Sequence, residues 1–148
     1  GIVLCENKID ELYLINRTTD KAKSLASEWK NYYPEIVIKS GGLNKEFYES
    51  IIQEVDLIVD TTPVGMEPDT EVEPVIPEDY FHSELLVVDL VYNPPETTIL
   101  KAAKKSGSET LNGLKMLLYQ ASDAFKLWTG EEPDIDSWYQ LVKKNDIN

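Results

Sequence analysis

Short apolar runs at residues 12–15, 36–38, 55–59 and 85–90 alternate with segments whose apolar residues recur at helical spacing. The runs are continuous and rich in branched side chains, which is the pattern of strands covered on both faces rather than half-exposed ones. Ala22, Leu25, Ala26 and Trp29 follow a helical repeat behind a Thr18/Thr19 cap, and Phe47, Tyr48, Ile51, Ile52 and Val55 do so behind Asn44. Ile99, Leu100 and Ala103 repeat it after Pro94, Pro95 and Thr97, with Gly107 as the stop. Strand and helix in turn predict an α/β fold with a parallel, doubly wound sheet in three layers.

Beyond Gly107 the sequence predicts a short strand over 109–111 and a long amphipathic helix over about 112–128. Its buried stripe would be Leu114, Leu117 or Leu118, Ala121, Phe125 and Trp128. Gly113, Met116 and Gln120 share another face of that helix. A last helix is predicted near 136–144, after the turn "TGEEPD".

Composition narrows the function. The 148 residues carry 14 basic and 27 acidic groups, a formal net charge of −13, so a nucleic acid, which needs many clustered Lys and Arg contacts to phosphate, is excluded as a partner. Any bound anion has to be small and locally held. No apolar run has membrane-spanning length, and the expected location is the cytoplasm. Cys5 and His82 are each the only residue of their type, which removes an intrachain disulfide, a Cys/His zinc site and Ser-His-Asp or Cys-His catalysis within these residues. His82 itself reads as a surface loop residue.

Against this acidic background the single arginine, Arg17, stands at the carboxyl end of the first apolar run. Ligands of doubly wound sheets bind at such ends, and dinucleotide folds commonly place an acidic residue there to hold the adenosine ribose hydroxyls. Here the place belongs to Asn16, Arg17 and Thr18, with Lys21 one helical turn further on. A guanidinium grips phosphate with parallel hydrogen bonds, and the following helix points its positive end at the same spot. The local sequence thus predicts a site for the 2′-phosphate of NADP. The alternative is a surface arginine paired with Asp20 or Glu28.

Four separated segments, "INRTTDKAKSLA", "DTTPVGMEP", "VVDLVYNPPETTIL" and "NGLKMLLYQASDAFKLWTGEEP", resemble, in this order, the C-terminal, nucleotide-binding half of shikimate dehydrogenases, and the resemblance covers essentially the whole chain. It implies a single, partial NADP-binding Rossmann-like domain over 1–148, with Asn16, Arg17, Thr18 and Lys21 on the adenosine phosphate. Thr61, Thr62, Pro63 and Met66 would lie along the cofactor, and Val91, Gly113 and Met116 near the nicotinamide. Tyr92 and Gln120 would reach a bound shikimate or 3-dehydroshikimate. The residues support part of this by themselves, since "TPVGM" sets a proline and a glycine after a buried strand, where backbone can approach a flat ligand closely. A plain turn, a packing tyrosine and an exposed helical glutamine are the competing readings of that motif, of Tyr92 and of Gln120.

The same resemblance calls for an N-terminal substrate domain with a catalytic lysine and aspartate, and for a first nucleotide strand with a glycine-rich phosphate loop, none of which is found here. Residues 2–6 align with the tail of the helix after that loop, although Ile-Val-Leu-Cys also suits a strand. "SGG" at 40–42 is a weak substitute for a phosphate loop. In the strand order 3-2-1-4-5-6, loss of strand 1 leaves a gap of roughly 9–10 Å between the strands ending at Ile15 and Val59. Closure, strand exchange or a homodimer would have to satisfy the open edges. The chain is therefore expected to be a fragment of a longer oxidoreductase, inactive by itself. A non-catalytic nucleotide-binding module and a quinate-type or glutamyl-tRNA-reductase-type enzyme are the other readings.

Overall fold

In a computed structural model, which describes residues 1–145, the chain divides into two compact units, Gly1–Glu54 and the described residues from Val55 onward. The first unit runs α1 (Ile2–Glu6), β1 (Glu11–Ile15), α2 (Thr19–Tyr32), β2 (Val37–Gly41) and α3 (Lys45–Ile51), which ends in a 3₁₀ turn over Ile52–Glu54. Residues 2–6 are thus helical, the first of the two sequence readings. β1 and β2 are parallel, Leu12 lying opposite Ile38 and Ile15 opposite Gly41.

Helix α2 packs on both strands because its small residues Ala22 and Ala26 form the inward stripe and let the backbone come close. Cys5, Ala26, Ile36 and Ile38 make the core of this unit, with Ile9, Leu12, Leu14, Trp29 and Tyr33 packed around them. On the opposite face of β1 the Tyr13 hydroxyl donates to the Glu11 and Glu54 carboxylates, and Lys39 Nζ lies 3.2 Å from both Glu11 Oε2 and the Tyr13 hydroxyl. Asn44 caps α3, its Oδ1 accepting from the Phe47 amide at 3.0 Å. Ser40 and Gly41 complete β2 and Gly42 follows it.

The second unit holds β3 (Leu57–Asp60), a 3₁₀ turn (Glu78–Tyr80), β4 (Leu86–Asp89), α4 (Thr98–Lys105), β5 (Glu109–Leu111), α5 (Leu114–Thr129) and α6 (Ile135–Asn145). Its sheet is parallel in the order β3-β4-β5, with Asp60 opposite Asp89 and Val88 opposite Leu111. Leu85, Val87, Ile99, Leu100 and Ala103 form its interior, joined by Leu114 and Leu118 from α5. The α/β class with parallel strands is as read from the sequence.

Several finer expectations are corrected. No residue of β1 is buried, and in β3 only Asp60 is; among the described residues each has a strand on one side alone, which leaves its side chains open along a flank. The central strand β4, paired on both sides, does bury Val87 and Asp89 completely. Leu118, one of the two leucines expected, joins the inward stripe of α5, and Ser122 takes the place expected for Ala121. Trp128 is 81% exposed, because the last turn of α5 runs past what it packs on, while Phe125 meets Trp138 of α6 edge to face. Thr18 occupies the N-cap of α2 without a side-chain cap bond. His82 is half-buried rather than a surface residue.

The Asn44 cap gives a direct check on the first unit. Asn44→Ala removes the acceptor of an orphan helix amide and should cost about 1 kcal/mol in urea unfolding, while Asn44→Ser should recover most of it. Equal stability of all three proteins would show that the cap contributes nothing.

Candidate functional site

The carboxyl ends of the strands carry every residue that the sequence singled out, apart from those on α5. At the end of β1, Asn16 Oδ1 accepts from the Thr18 amide at 2.8 Å and the Asn16 amide donates to the Gly41 carbonyl at 3.3 Å. The side chain of Asn16 is thereby committed to shaping the turn into α2. The side chains of Arg17 and Lys21 are exposed and form no hydrogen bond or ion pair among the described residues; Asp20 is engaged by Lys23 at 3.8 Å instead. The alternative of an arginine neutralised by Asp20 or Glu28 is therefore not the arrangement found. Two cations, a guanidinium and an ammonium, stand free beside the first turn of a 14-residue helix, whose amides favour an anion. This cradle fits a phosphate monoester by charge and by donor type.

In the second unit Thr61, Thr62, Pro63 and Met66 line a concavity of about 440 Å³ with Glu67, Leu90, Val91, Tyr92 and Asn93. The structure thus brings together the four cofactor candidates of the loop after β3 and two candidates, Val91 and Tyr92, of the loop after β4. Gly113 adjoins them, its amide donating to the Val91 carbonyl at 3.0 Å. A Cβ on Gly113 would stand 1.9 Å from the Leu90 carbonyl oxygen, so only glycine lets α5 start this close to β4. Met116 and Gln120 follow on the same side of α5, both exposed and outside the lining of the concavity.

Sequence reasoning missed the groups that hold these loops. Asp60 and Asp89 are in-register neighbours ending β3 and β4, 5% and 0% exposed. Asp60 Oδ1 accepts from the Thr62 amide at 2.8 Å, and the Thr62 hydroxyl accepts from the Val64 amide at 3.3 Å. Asp89 Oδ1 accepts from the Val91 amide at 2.9 Å, and its Oδ2 accepts from the Thr97 hydroxyl at 2.5 Å. Asn112 adds a tie between the same loop and α5, donating to the Pro95 carbonyl at 2.9 Å and accepting from the Leu114 amide at 3.2 Å. The available signal was an aspartate closing an apolar run two residues before a turn, which is the pattern of a side chain that bonds its own backbone.

Asp60 differs from Asp89 in one respect: its Oδ2 is buried without a hydrogen-bond partner. Burial raises its pKa above the ordinary carboxylate range, against the pull of the Thr62 hydrogen bonds, and the neighbouring Asp89 adds to the rise. Among the described residues no helix is long and apolar enough to cross a membrane, and no cluster of His, Cys, Asp and Glu could hold a metal ion.

The parallel strands and the helices between them define a Rossmann-like α/β fold. Residues 113–143 match the family model of the shikimate 5′-dehydrogenase C-terminal domain. Over 135 residues the chain is 46% identical to the shikimate dehydrogenase (NADP(+)) of Halothermothrix orenii, covering 91% of this chain and 47% of that one. It superposes on a crystal structure of shikimate dehydrogenase in complex with NADP+ with a TM-score of 0.80 at 37% identity, over 93% of this chain and 47% of the other. A quinate dehydrogenase from Corynebacterium glutamicum in complex with NAD gives 0.79 at 30% identity, over 95% and 49%. Over the half that it spans, the chain is similar to shikimate dehydrogenases, and that span is about half the length of the relatives it matches.

The buried acid supplies a test of the second unit. A raised carboxyl pKa contributes stability that is present at low pH and lost as pH rises through the folded-state value. Asp60→Asn keeps an acceptor for the Thr62 amide and carries no charge, so it should unfold at higher urea than the parent near pH 7, with the difference vanishing at about pH 4. A difference independent of pH would contradict the assignment of an unfavourable buried charge.

Proposed function

We propose that these residues form the NADP-binding half of a shikimate dehydrogenase that reversibly reduces 3-dehydroshikimate to shikimate. The observation that carries this reading is the pair of unengaged cations, Arg17 and Lys21, at the carboxyl end of β1 in a chain of net charge −13. Arg17 would clamp the 2′-phosphate of the adenosine end, Lys21 would add charge, and Asn16 and Thr18 would set the turn from which both project. Thr61, Thr62, Pro63 and Met66 would flank the cofactor from one side of the concavity. Val91, Gly113 and Met116 would border its nicotinamide.

When bound, NADPH supplies the hydride, and the protein's part is to orient it and to handle the accompanying proton. Tyr92, 48% exposed at the rim of the concavity, has a hydroxyl free to meet a polar ring substituent or a carboxylate, and Gln120 offers an amide to the same kind of group. Delivering the accompanying proton is a separate role. That role falls to the lysine and aspartate that the family resemblance calls for and that have no counterpart among these residues. Quinate is the second candidate substrate. A quinate dehydrogenase shares the fold at 30% identity, and a phenol and an amide recognise hydroxyls and carboxylates of either ring.

Replacing the guanidinium by a carboxylate inverts the selectivity at the ribose. Arg17→Asp should weaken NADPH binding on the order of 10–100-fold, the worth of charge-assisted hydrogen bonds, and leave NADH equal or improved in a fluorescence titration. An unchanged NADPH-to-NADH ratio would refute the phosphate assignment.

A further inference from the structure

Both walls of the concavity converge on one residue that lies outside it. Thr97 is 1% exposed and occupies the N-cap of α4, eight positions beyond Asp89. Its hydroxyl donates to Asp89 Oδ2 at 2.5 Å, and the other oxygen of that carboxylate holds the Val91 amide. The wall formed by Leu90, Val91, Tyr92 and Asn93 is therefore pinned at its start by Asp89 and closed at its far end by Thr97. The apolar half of the same side chain faces the other wall. Gly65 has φ +83°, and a Cβ built on it would lie 3.2 Å from Thr97 Cβ and 3.5 Å from Cγ2. The turn over 63–66, closed by the Met66 amide on the Pro63 carbonyl at 3.2 Å, thus passes close enough to the threonine that a methyl on Gly65 would crowd it.

One carbon thus carries a hydroxyl bonded toward one loop and a methyl that faces the other. Serine would keep the first contact and lose the second; valine would do the reverse.

We propose that Thr97 is a positioning residue that sets the spacing of the two walls, the hydroxyl fixing the loop after β4 through Asp89 and the methyl supporting the loop after β3 at Gly65. The consequence for binding rests on the function proposed above: Thr97 governs the nicotinamide end of the cofactor and leaves the adenosine phosphate end untouched.

The test compares Thr97→Val and Thr97→Ser in the 148-residue chain. In amide hydrogen exchange, Thr97→Val should speed exchange at Val91 on the order of tenfold, as expected when a buried carboxylate oxygen loses its donor, with Met66 little changed. Thr97→Ser should speed Met66 and leave Val91 protected. In parallel titrations both variants should weaken NADPH several-fold while binding 2′,5′-ADP, which lacks the nicotinamide, as the parent does. A uniform rise in exchange over β3, β4 and β5 in both variants would reduce Thr97 to a generic core residue and overturn the proposal, as would no change at either amide. Equal weakening of NADPH and 2′,5′-ADP would also overturn it. A parent that binds neither nucleotide would defeat the function proposed above, while the exchange contrast would still decide the role of Thr97. Should Thr97→Val fail to fold, Thr97→Ser decides alone: Met66 must loosen while Val91 holds.

Discussion

The carboxyl edge of the β3-β4-β5 sheet depends on a carboxylate with no access to water. Asp89 ends the central strand, and both of its oxygens are used, one on a backbone amide and one on a hydroxyl. Removing either donor would leave a buried acceptor unsatisfied, which costs about 1–3 kcal/mol. The loop between Asp89 and Thr97 therefore has a narrow choice of conformations although it contains little regular structure. The start of α5 is added to it by the Gly113 amide and by Asn112, so a strand, a loop and two helix N-termini are organised around one acid.

Beside it, Asp60 performs the same backbone capping for β3 but leaves an oxygen idle. Two adjacent carboxylates cannot both be well served in a space this small. The asymmetry follows from what comes next in the chain. Residue 97 offers a hydroxyl to Asp89 Oδ2, whereas the Thr62 amide meets Asp60 at Oδ1 and Oδ2 is left without a partner. The cleft has this buried pair at its floor while its lining, Thr61, Pro63, Met66 and Tyr92, is exposed.

Much of this fold was legible in the sequence. Period decided the elements: the β5 strand over 109–111, the Asn44 cap and the helix after Thr97 rest on local chemistry that reads directly from residue type, whereas the helix at 2–6 came from the resemblance, its residue types suiting a strand as well. What was not legible is what depends on neighbours. Continuous apolar runs read as strands covered on both faces, yet β1 and β3 are flanked on one side only and stay partly open. Trp128 fits the inward phase of α5 but lies beyond anything to pack on. At the site, Arg17 and the "TTPVGM" loop stood out because their residue types are unusual where they occur. Asp60, Asp89 and Thr97 did not, since their roles come from strand register and from an eight-residue closure that period does not reveal.

In the proposed function the acidic surface would make the cradle at Arg17 selective rather than merely cationic. An isolated guanidinium and an ammonium beside a helix N-terminus can hold one doubly charged group, while the surrounding carboxylates repel extended polyanions. Phosphorus-31 NMR of NADP titrated with the 148-residue chain tests this claim most directly. The account predicts a saturable change of the 2′-phosphate resonance that is larger than that of the diphosphate, since no glycine-rich phosphate loop is present in these residues. A 2′-phosphate resonance that stays unmoved while the diphosphate shifts would contradict it.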